Sequence, residues 1–223
     1  MRESKDNDSV YHQIKREGKL SEEELFYDLI GMVVGGFNTS SRAALATLIN
    51  LRKNPECMEK LLSFLQAELC YDPKHKDLLP TMLSELTPEK YGELDHLSWV
   101  LKESLRLTPT APASVDYKAV RAGCKIRGVE IPTDSRIFIN FGVVQRDPRQ
   151  WQRPEEFLPE RYDPESPLYL RPDGGKRHPM SHIAFSFGPR NCPGQVFGLM
   201  ESKIFVAYVA MKMKFDMDLD PEL

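Results

Sequence analysis

Apolar residues recur every three or four positions from residue 22 to residue 51, the period of one face of an α-helix. Ser21-Glu22-Glu23-Glu24 precedes this run and has the form of a capping box. In that arrangement the serine hydroxyl and the glutamate carboxylate each satisfy a free backbone N–H. Asn54-Pro55 stops the run, because a residue before proline is pushed out of the helical region. At 1.5 Å per residue the predicted helix is roughly 45 Å long, more than most helices in compact domains. A second helix is predicted over residues 56–69. A third is predicted to start at the cap-and-proline pair Thr87-Pro88 and to end near Leu107. Residues 1–20 carry no such pattern and read as a mobile lead-in, with residues 21–223 as part of a single domain.

The texture then changes. Residues 125–141 alternate and are rich in Ile, Val and Phe, with turns at Arg127-Gly128 and Pro132-Thr133-Asp134, which predicts a small antiparallel sheet. Residues 147–189 are dense in proline and glycine and read as irregular; such a long irregular stretch in a compact domain is usually functional. A last helix is predicted from Pro193 to about Met213, with Phe197, Met200, Ile204, Tyr208 and Met211 at helical spacing. The fold class expected is mainly α with a small antiparallel β-sheet.

Composition narrows the function. The chain has 223 residues, 41% of them hydrophobic, enough for one sizeable core or two small domains. A net charge of −3 provides no basic field for nucleic acid. The first residues are polar and mixed in charge, unlike a signal peptide. The longest apolar run, residues 29–37, contains Gly31, Gly35 and Gly36 and falls short of the ~20 residues a spanning helix needs. The segment therefore reads as soluble and intracellular, with no membrane contact of its own. None of the four cysteines forms a C-x-x-C pair, which argues against a zinc ribbon. Without a secretory signal, a disulfide framework is not expected either. Cys57, Cys70 and Cys124 read as small buried hydrophobes.

Cys192 differs. It lies in Phe185-Ser186-Phe187-Gly188-Pro189-Arg190-Asn191-Cys192-Pro193-Gly194. With Pro193 as the first helical residue, Cys192 takes the cap position, where free N–H groups and the positive end of the helix dipole stabilise an anionic sulfur. Gly188 and Gly194 permit tight turns and close approach by a flat ligand. Phe185 and Phe187 supply an apolar wall, and Arg190 a nearby cation. A dry, hydrogen-bonded thiolate open on one side suits haem iron.

The order F-x-x-G-x-R-x-C-x-G is matched at every fixed position, and the segment resembles the haem-binding loop of the cytochrome P450 family. Three further stretches follow the family's order. Gly35-Gly36-Phe37-Asn38-Thr39-Ser40 is similar to the stretch in the helix across the oxygen-binding face, where Gly36 leaves room for ligand and Thr39 holds the water that delivers protons. The glycines read as room for a ligand with a local kink opened by the Thr39 and Ser40 hydroxyls, and the competing reading is close helix packing through Gly31-x-x-x-Gly35. Glu103-Ser104-Leu105-Arg106 with Pro159-Glu160-Arg161-Tyr162 is similar to the family's buried ion network of Glu103, Arg106 and Arg161. Two positions depart from the pattern: Asn38 stands where an acid is usual, and Asp116 where many members place an arginine toward a haem propionate, with Lys118 and Arg121 nearby as substitutes.

The resemblance implies the C-terminal half of a haem-thiolate monooxygenase, with heme b on Cys192. It implies O2 and a small lipophilic molecule as substrates, and NADPH electrons from a flavin reductase or a ferredoxin-type donor. Full-length relatives are often at the endoplasmic-reticulum membrane; the compartment of this chain stays open. A haem-thiolate isomerase, dehydratase or peroxide user, and an inactive fragment that binds haem weakly, are the rival readings. His178 and His182 read as solvated loop residues, and Trp99 and Trp151 as core. Lys176 and Arg177 with Arg149 and Arg153 read either as a basic patch for an acidic electron donor or as scattered surface charge.

Overall fold

The computed structural model describes residues 9–69, 94–114, 117–118 and 121–213. Part of the expected lead-in is ordered: α1 (Val10–Glu17) is capped by the Ser9 hydroxyl, which accepts from the His12 amide, and ends at Gly18 with φ 63°. Residues 1–8 lie outside the described set.

Helix α2 (Glu22–Lys53) starts in a complete capping box between Ser21 and Glu24 and runs unbroken for 32 residues to Asn54. Helix α3 (Pro55–Glu68) then begins on its proline. The predicted start of the third helix at Thr87-Pro88 lies outside the described residues, and α4 (Asp95–Leu107) is its described part. The last helix, α6 (Gln195–Lys212), crosses α2. Ala44, Leu48 and Leu51 of α2, Leu61 and Leu65 of α3, Leu97, Val100 and Leu101 of α4 and Val206 of α6 form one core. Truncating a fully buried leucine such as Leu61 to alanine costs about 2–5 kcal/mol by lost transfer energy plus a cavity.

The expected sheet over residues 125–141 is smaller and split. Strands β2 (Lys125–Ile126) and β3 (Val129–Glu130) form a hairpin on Arg127 (φ 49°) and Gly128 (φ 84°), the left-handed pair that a two-residue turn requires. Strand β1 (Tyr117–Lys118) pairs with β4 (Arg136–Ile137). Pro132 lacks a ladder donor and Asp134 is left-handed at φ 70°, so the chain reverses before a longer ladder can form. A short helix, α5 (Phe141–Val144), capped by Asn140, leads into the irregular region, which includes 3-10 turns at Pro159–Tyr162, Pro167–Tyr169 and Pro179–Ser181.

The two ends of α2 differ. Its C-terminal half carries the buried stripe, whereas Phe26, Tyr27, Ile30, Val33, Val34 and Phe37 are exposed. Val196 and Phe197 at the start of α6 are exposed as well. An apolar surface this continuous attracts other apolar surface. The isolated chain is therefore expected to bind the dye ANS and to associate. Changing Val33 and Phe37 together to lysine should cut dye binding several-fold without lowering the melting temperature, because both side chains are largely solvent-exposed; a drop in melting temperature would show that they pack.

Candidate functional site

Charge burial dominates the region beneath the cysteine loop. Glu103 and Arg106 leave the same face of α4, and both side chains are fully buried together with Arg161. The Glu103 carboxylate accepts from Arg106 Nε (2.8 Å) and Nη2 (2.9 Å), from Arg161 Nε (2.9 Å) and from the Leu158 amide (2.9 Å). Arg106 also donates to the carbonyls of Gln145 (3.0 Å), Pro154 (2.6 Å) and Glu156 (3.1 Å), which uses all five guanidinium donors. Arg161 donates to the carbonyls of Gln152, Arg153 and Glu156. Burial pulls the Arg161 guanidinium down from its ordinary value, while the Glu103 charge opposes that shift. The irregular stretch after residue 147 thus satisfies its buried carbonyls with arginine side chains instead of a backbone ladder.

A second layer lies on this one. Trp151, only 1% exposed, donates Nε1–H to the Ser181 carbonyl (3.3 Å). Arg177 lies over its ring at 4.4 Å and donates to the carbonyls of Leu168 and Arg161. Of the four cations read as either a basic patch or scattered surface charge, Arg177 is stacked on Trp151, Arg149 is paired with Asp147, Arg153 is paired with Glu156, and Lys176 is exposed. His182 is not a solvated loop residue either: its Nε2 lies 3.0 Å from the Lys102 carbonyl, and Tyr162 meets the ring edge-on. A carbonyl only accepts, so Nε2 carries the proton. His178 is exposed and caps the turn at Pro179. Trp151 is core, whereas Trp99 is half-buried against His96.

The cysteine loop follows directly on the tied residues Ser181 and His182. Ser186 (φ 62°) and Gly188 (φ 80°) are left-handed, and a 3-10 turn spans Gly188–Arg190. The Cys192 amide donates to the Phe185 carbonyl (2.9 Å), closing the loop. That bond changes the expected cap: Gly194 caps α6, and Cys192 precedes the cap by two residues. Cys192 and Arg190 are exposed, Phe187 is 58% exposed, and Phe185 is half-buried. A methyl added at Gly194 would lie 3.9 Å from the Cys192 sulfur, so the glycine keeps that flank of the sulfur slim. Cys57 is buried, and its thiol is pushed up to about 11 by burial, which makes it a poor ligand. Cys124 is half-buried, and Cys70 lies outside the described residues.

On α2, the Thr39 hydroxyl donates to the Gly35 carbonyl (2.7 Å) and Ser40 to the Gly36 carbonyl (2.6 Å), and the helix runs on through both residues. A methyl at Gly31, Gly35 or Gly36 would meet nothing within 4 Å, which rules out close helix packing there among the described residues. Asn38 and Thr39 are exposed. The helices α2 and α6 meet at Ser40 and Ser202 (3.5 Å). From that contact toward their N-termini, each exposes apolar residues: Val33, Val34 and Phe37 on α2, Val196 and Phe197 on α6. Asp116 lies outside the described residues, and Lys118 pairs with Asp134 at 2.9 Å.

An exposed cysteine on a glycine-containing loop, at the start of a helix crossed by a glycine-bearing apolar helix, has the donor and the apolar surroundings that fit a flat metal cofactor of the haem type. The chain belongs to the cytochrome P450 family, whose model matches residues 3–222. It is 32% identical to "Probable cytochrome P450 4ac3" of Drosophila melanogaster over 89% of this chain and 35% of the relative. It is 31% identical to cytochrome P450 4V2 of Rattus norvegicus, over 86% of this chain and 33% of the relative. It is 31% identical to a phenylacetaldehyde oxime monooxygenase of Prunus mume, over 79% of this chain and 30% of the relative. The chain spans about a third of the length of these relatives, less than the half that the motifs alone imply. The family is one of oxidoreductases that use heme b. Among the described residues no helix is long and apolar enough to cross a membrane.

Two outcomes follow from this geometry. Glu103→Gln leaves two buried guanidinium groups without their counter-charge and should lower the unfolding free energy by about 3–5 kcal/mol, read as a fall in the urea midpoint; a change below about 1 kcal/mol would mean that the charges are not buried as described. Burial pulls the His182 imidazole down from 6.5 to about 4. Between those values the unfolded chain takes up a proton that the folded chain refuses, so stability is full above about pH 6.5 and falls as the pH drops toward 4. His182→Gln keeps a donor for the Lys102 carbonyl and does not titrate; it should flatten the midpoint-against-pH curve in that window, and an unchanged curve would remove His182 as its cause.

Proposed function

We propose that this chain supplies the iron ligand and the oxygen-side helix of a haem-thiolate monooxygenase. That enzyme inserts one atom of O2 into a small lipophilic molecule, with electrons from NADPH through a flavin reductase or a ferredoxin-type donor. The observation that carries the reading is the exposed Cys192 sulfur inside a complete F-x-x-G-x-R-x-C-x-G loop. When bound, the haem supplies the redox chemistry. The residues of this chain hold it and set its surroundings. Cys192 provides the thiolate; Phe185 and Phe187 exclude water; Arg190 places a cation beside an anionic site; Gly188 and Gly194 let the loop turn and clear the sulfur. On the other side, Gly36 leaves space. The Thr39 proton is committed to the Gly35 carbonyl, so Thr39 offers lone pairs and accepts from a polar guest.

The decisive spectrum is that of the haem-loaded chain, reduced and under carbon monoxide. A strongly red-shifted Soret band is expected. Cys192→Ala should abolish it, whereas Cys124→Ser should leave it intact. Survival of the band in Cys192→Ala would refute the assignment, and absence of the band from the unaltered chain would favour the weak-binding fragment.

One observation favours a second reading. Asn38 is an exposed amide one residue before Thr39, and an amide does not release a proton near neutral pH as a carboxyl does. Proton delivery by an acid is worth roughly 10²–10⁴-fold. In the holoenzyme, Asn38→Asp is expected to raise O2-driven turnover and to change peroxide-driven turnover less. A fall in O2-driven turnover at unchanged haem content would place the isomerase, dehydratase or peroxide-using reading first.

A further inference from the structure

Gln145 is fully buried, yet it is neither charged nor part of the ion network. Burying an unpaired amide costs several kcal/mol, and a leucine or methionine would fill the same space at less cost. The amide here is fully employed. Its Nε2 donates to the carbonyls of Leu105 (3.0 Å) and Arg106 (3.2 Å), and its Oε1 accepts from the Ile183 amide (3.0 Å). The orientation is unambiguous, because the flipped amide would set an oxygen against two carbonyl oxygens and NH2 against an N–H. Leu105 and Arg106 lie in the last turn of α4, where carbonyls lack partners within the helix. The Gln145 main chain is itself held, since its carbonyl accepts from Arg106 Nη1 (3.0 Å).

The far end of this tie leads to the cysteine. Ile183 is the root of the loop: its amide is held by Gln145, and its carbonyl accepts from the Ser186 amide (2.8 Å). That turn places Ser186 in its left-handed conformation, next to Phe185, whose carbonyl accepts from the Cys192 amide. Neighbouring ties act in parallel at Ser181, through Trp151, and at His182, through the Lys102 carbonyl. Of the three, only Gln145 joins the loop root directly to both the end of α4 and Arg106.

We propose that Gln145 is a positioning residue that transmits the placement of the α4 ion network to the Cys192 sulfur. The proposal rests on the reading of Cys192 as the haem ligand. Its test therefore separates the geometry of the loop from the chemistry of the haem.

The experiment compares the unaltered 223-residue chain, Gln145→Met and Gln145→His by backbone hydrogen exchange, by iodoacetamide labelling of Cys192 read from its peptide, and by the reduced carbon-monoxide spectrum after haem loading. Methionine keeps the volume and removes all three side-chain hydrogen bonds. Neutral histidine keeps one donor and one acceptor on opposite sides of its ring. For Gln145→Met we expect exchange over residues 183–192 to rise roughly ten-fold, the loss of about one net hydrogen bond, while exchange in α2 and α3 stays unchanged. Cys192 labelling should change with it, and the red-shifted band should weaken at equal haem content. Gln145→His should recover most of each effect.

Exchange over residues 183–192 that stays unchanged in Gln145→Met, or that rises equally throughout the chain, would overturn the proposal. If Gln145→Met does not fold, the unaltered chain carries the test: the Ile183 amide must open together with the last turn of α4 as urea is raised, and an unprotected Ile183 amide would overturn the tie. A loosened loop in a chain whose unaltered form gives no red-shifted band would sustain the positioning role and sink the proposed function. A band that is present and indifferent to Gln145→Met would do the reverse.

Discussion

One carboxylate between two guanidinium groups holds this part of the molecule together. Glu103 is buried with Arg106 and Arg161, and neither cation is tolerable there without it. The arginines do more than neutralise a charge. Their remaining donors take up carbonyls at Gln145, Gln152, Arg153, Pro154 and Glu156. A segment with almost no regular hydrogen bonding can then be buried and fixed, because its polar backbone has partners elsewhere. The loop that carries Cys192 starts from that fixed segment, and the proposed role of Gln145 makes the position of the sulfur depend on the pairing of charges at α4.

The other half of the site follows a different rule. On α2 the structure is plain helix, and what matters is what is missing: side chains at Gly31, Gly35 and Gly36, and packing partners for Val33 and Phe37. Interior glycines cost about 1 kcal/mol each against alanine. The three glycines leave a bare stretch of backbone beside the hydroxyls of Thr39 and Ser40. Both hydroxyls bond back to carbonyls of their own helix, and of the two only the exposed Thr39 turns its lone pairs to the outside. In the function proposed here, the Cys192 sulfur and the bare stretch of α2 are the two faces that hold a flat cofactor.

Much of this was legible in the sequence wherever the determinant is local. The α2 capping box is written in four consecutive residues, and its stop at Asn54-Pro55 in two. The spacing of Glu103 and Arg106 predicts only a shared helix face; their burial with Arg161 was legible through the resemblance to the cytochrome P450 family. The rest is set by contacts distant along the chain. His182 looks like a solvated loop residue until α4 offers the Lys102 carbonyl to it, 80 residues away. Arg177 looks like part of a basic patch until Trp151 lies beneath it. Cys192 looks like the cap of the last helix until the loop carries the chain on to Gly194, which takes that position. Gln145 has no local signature, since its partners are 38 to 40 residues away in both directions.

The central claim is that buried charge pairing presents the Cys192 sulfur to iron. Iron-edge X-ray absorption of the chain loaded with ferric haem tests this most directly, because it counts the sulfur atoms bound to iron. One sulfur neighbour is predicted in the unaltered chain, falling to a minor fraction in Arg161→Met at equal haem content. An iron shell with no sulfur in the unaltered chain, or one whose sulfur is indifferent to the loss of Arg161, would contradict it.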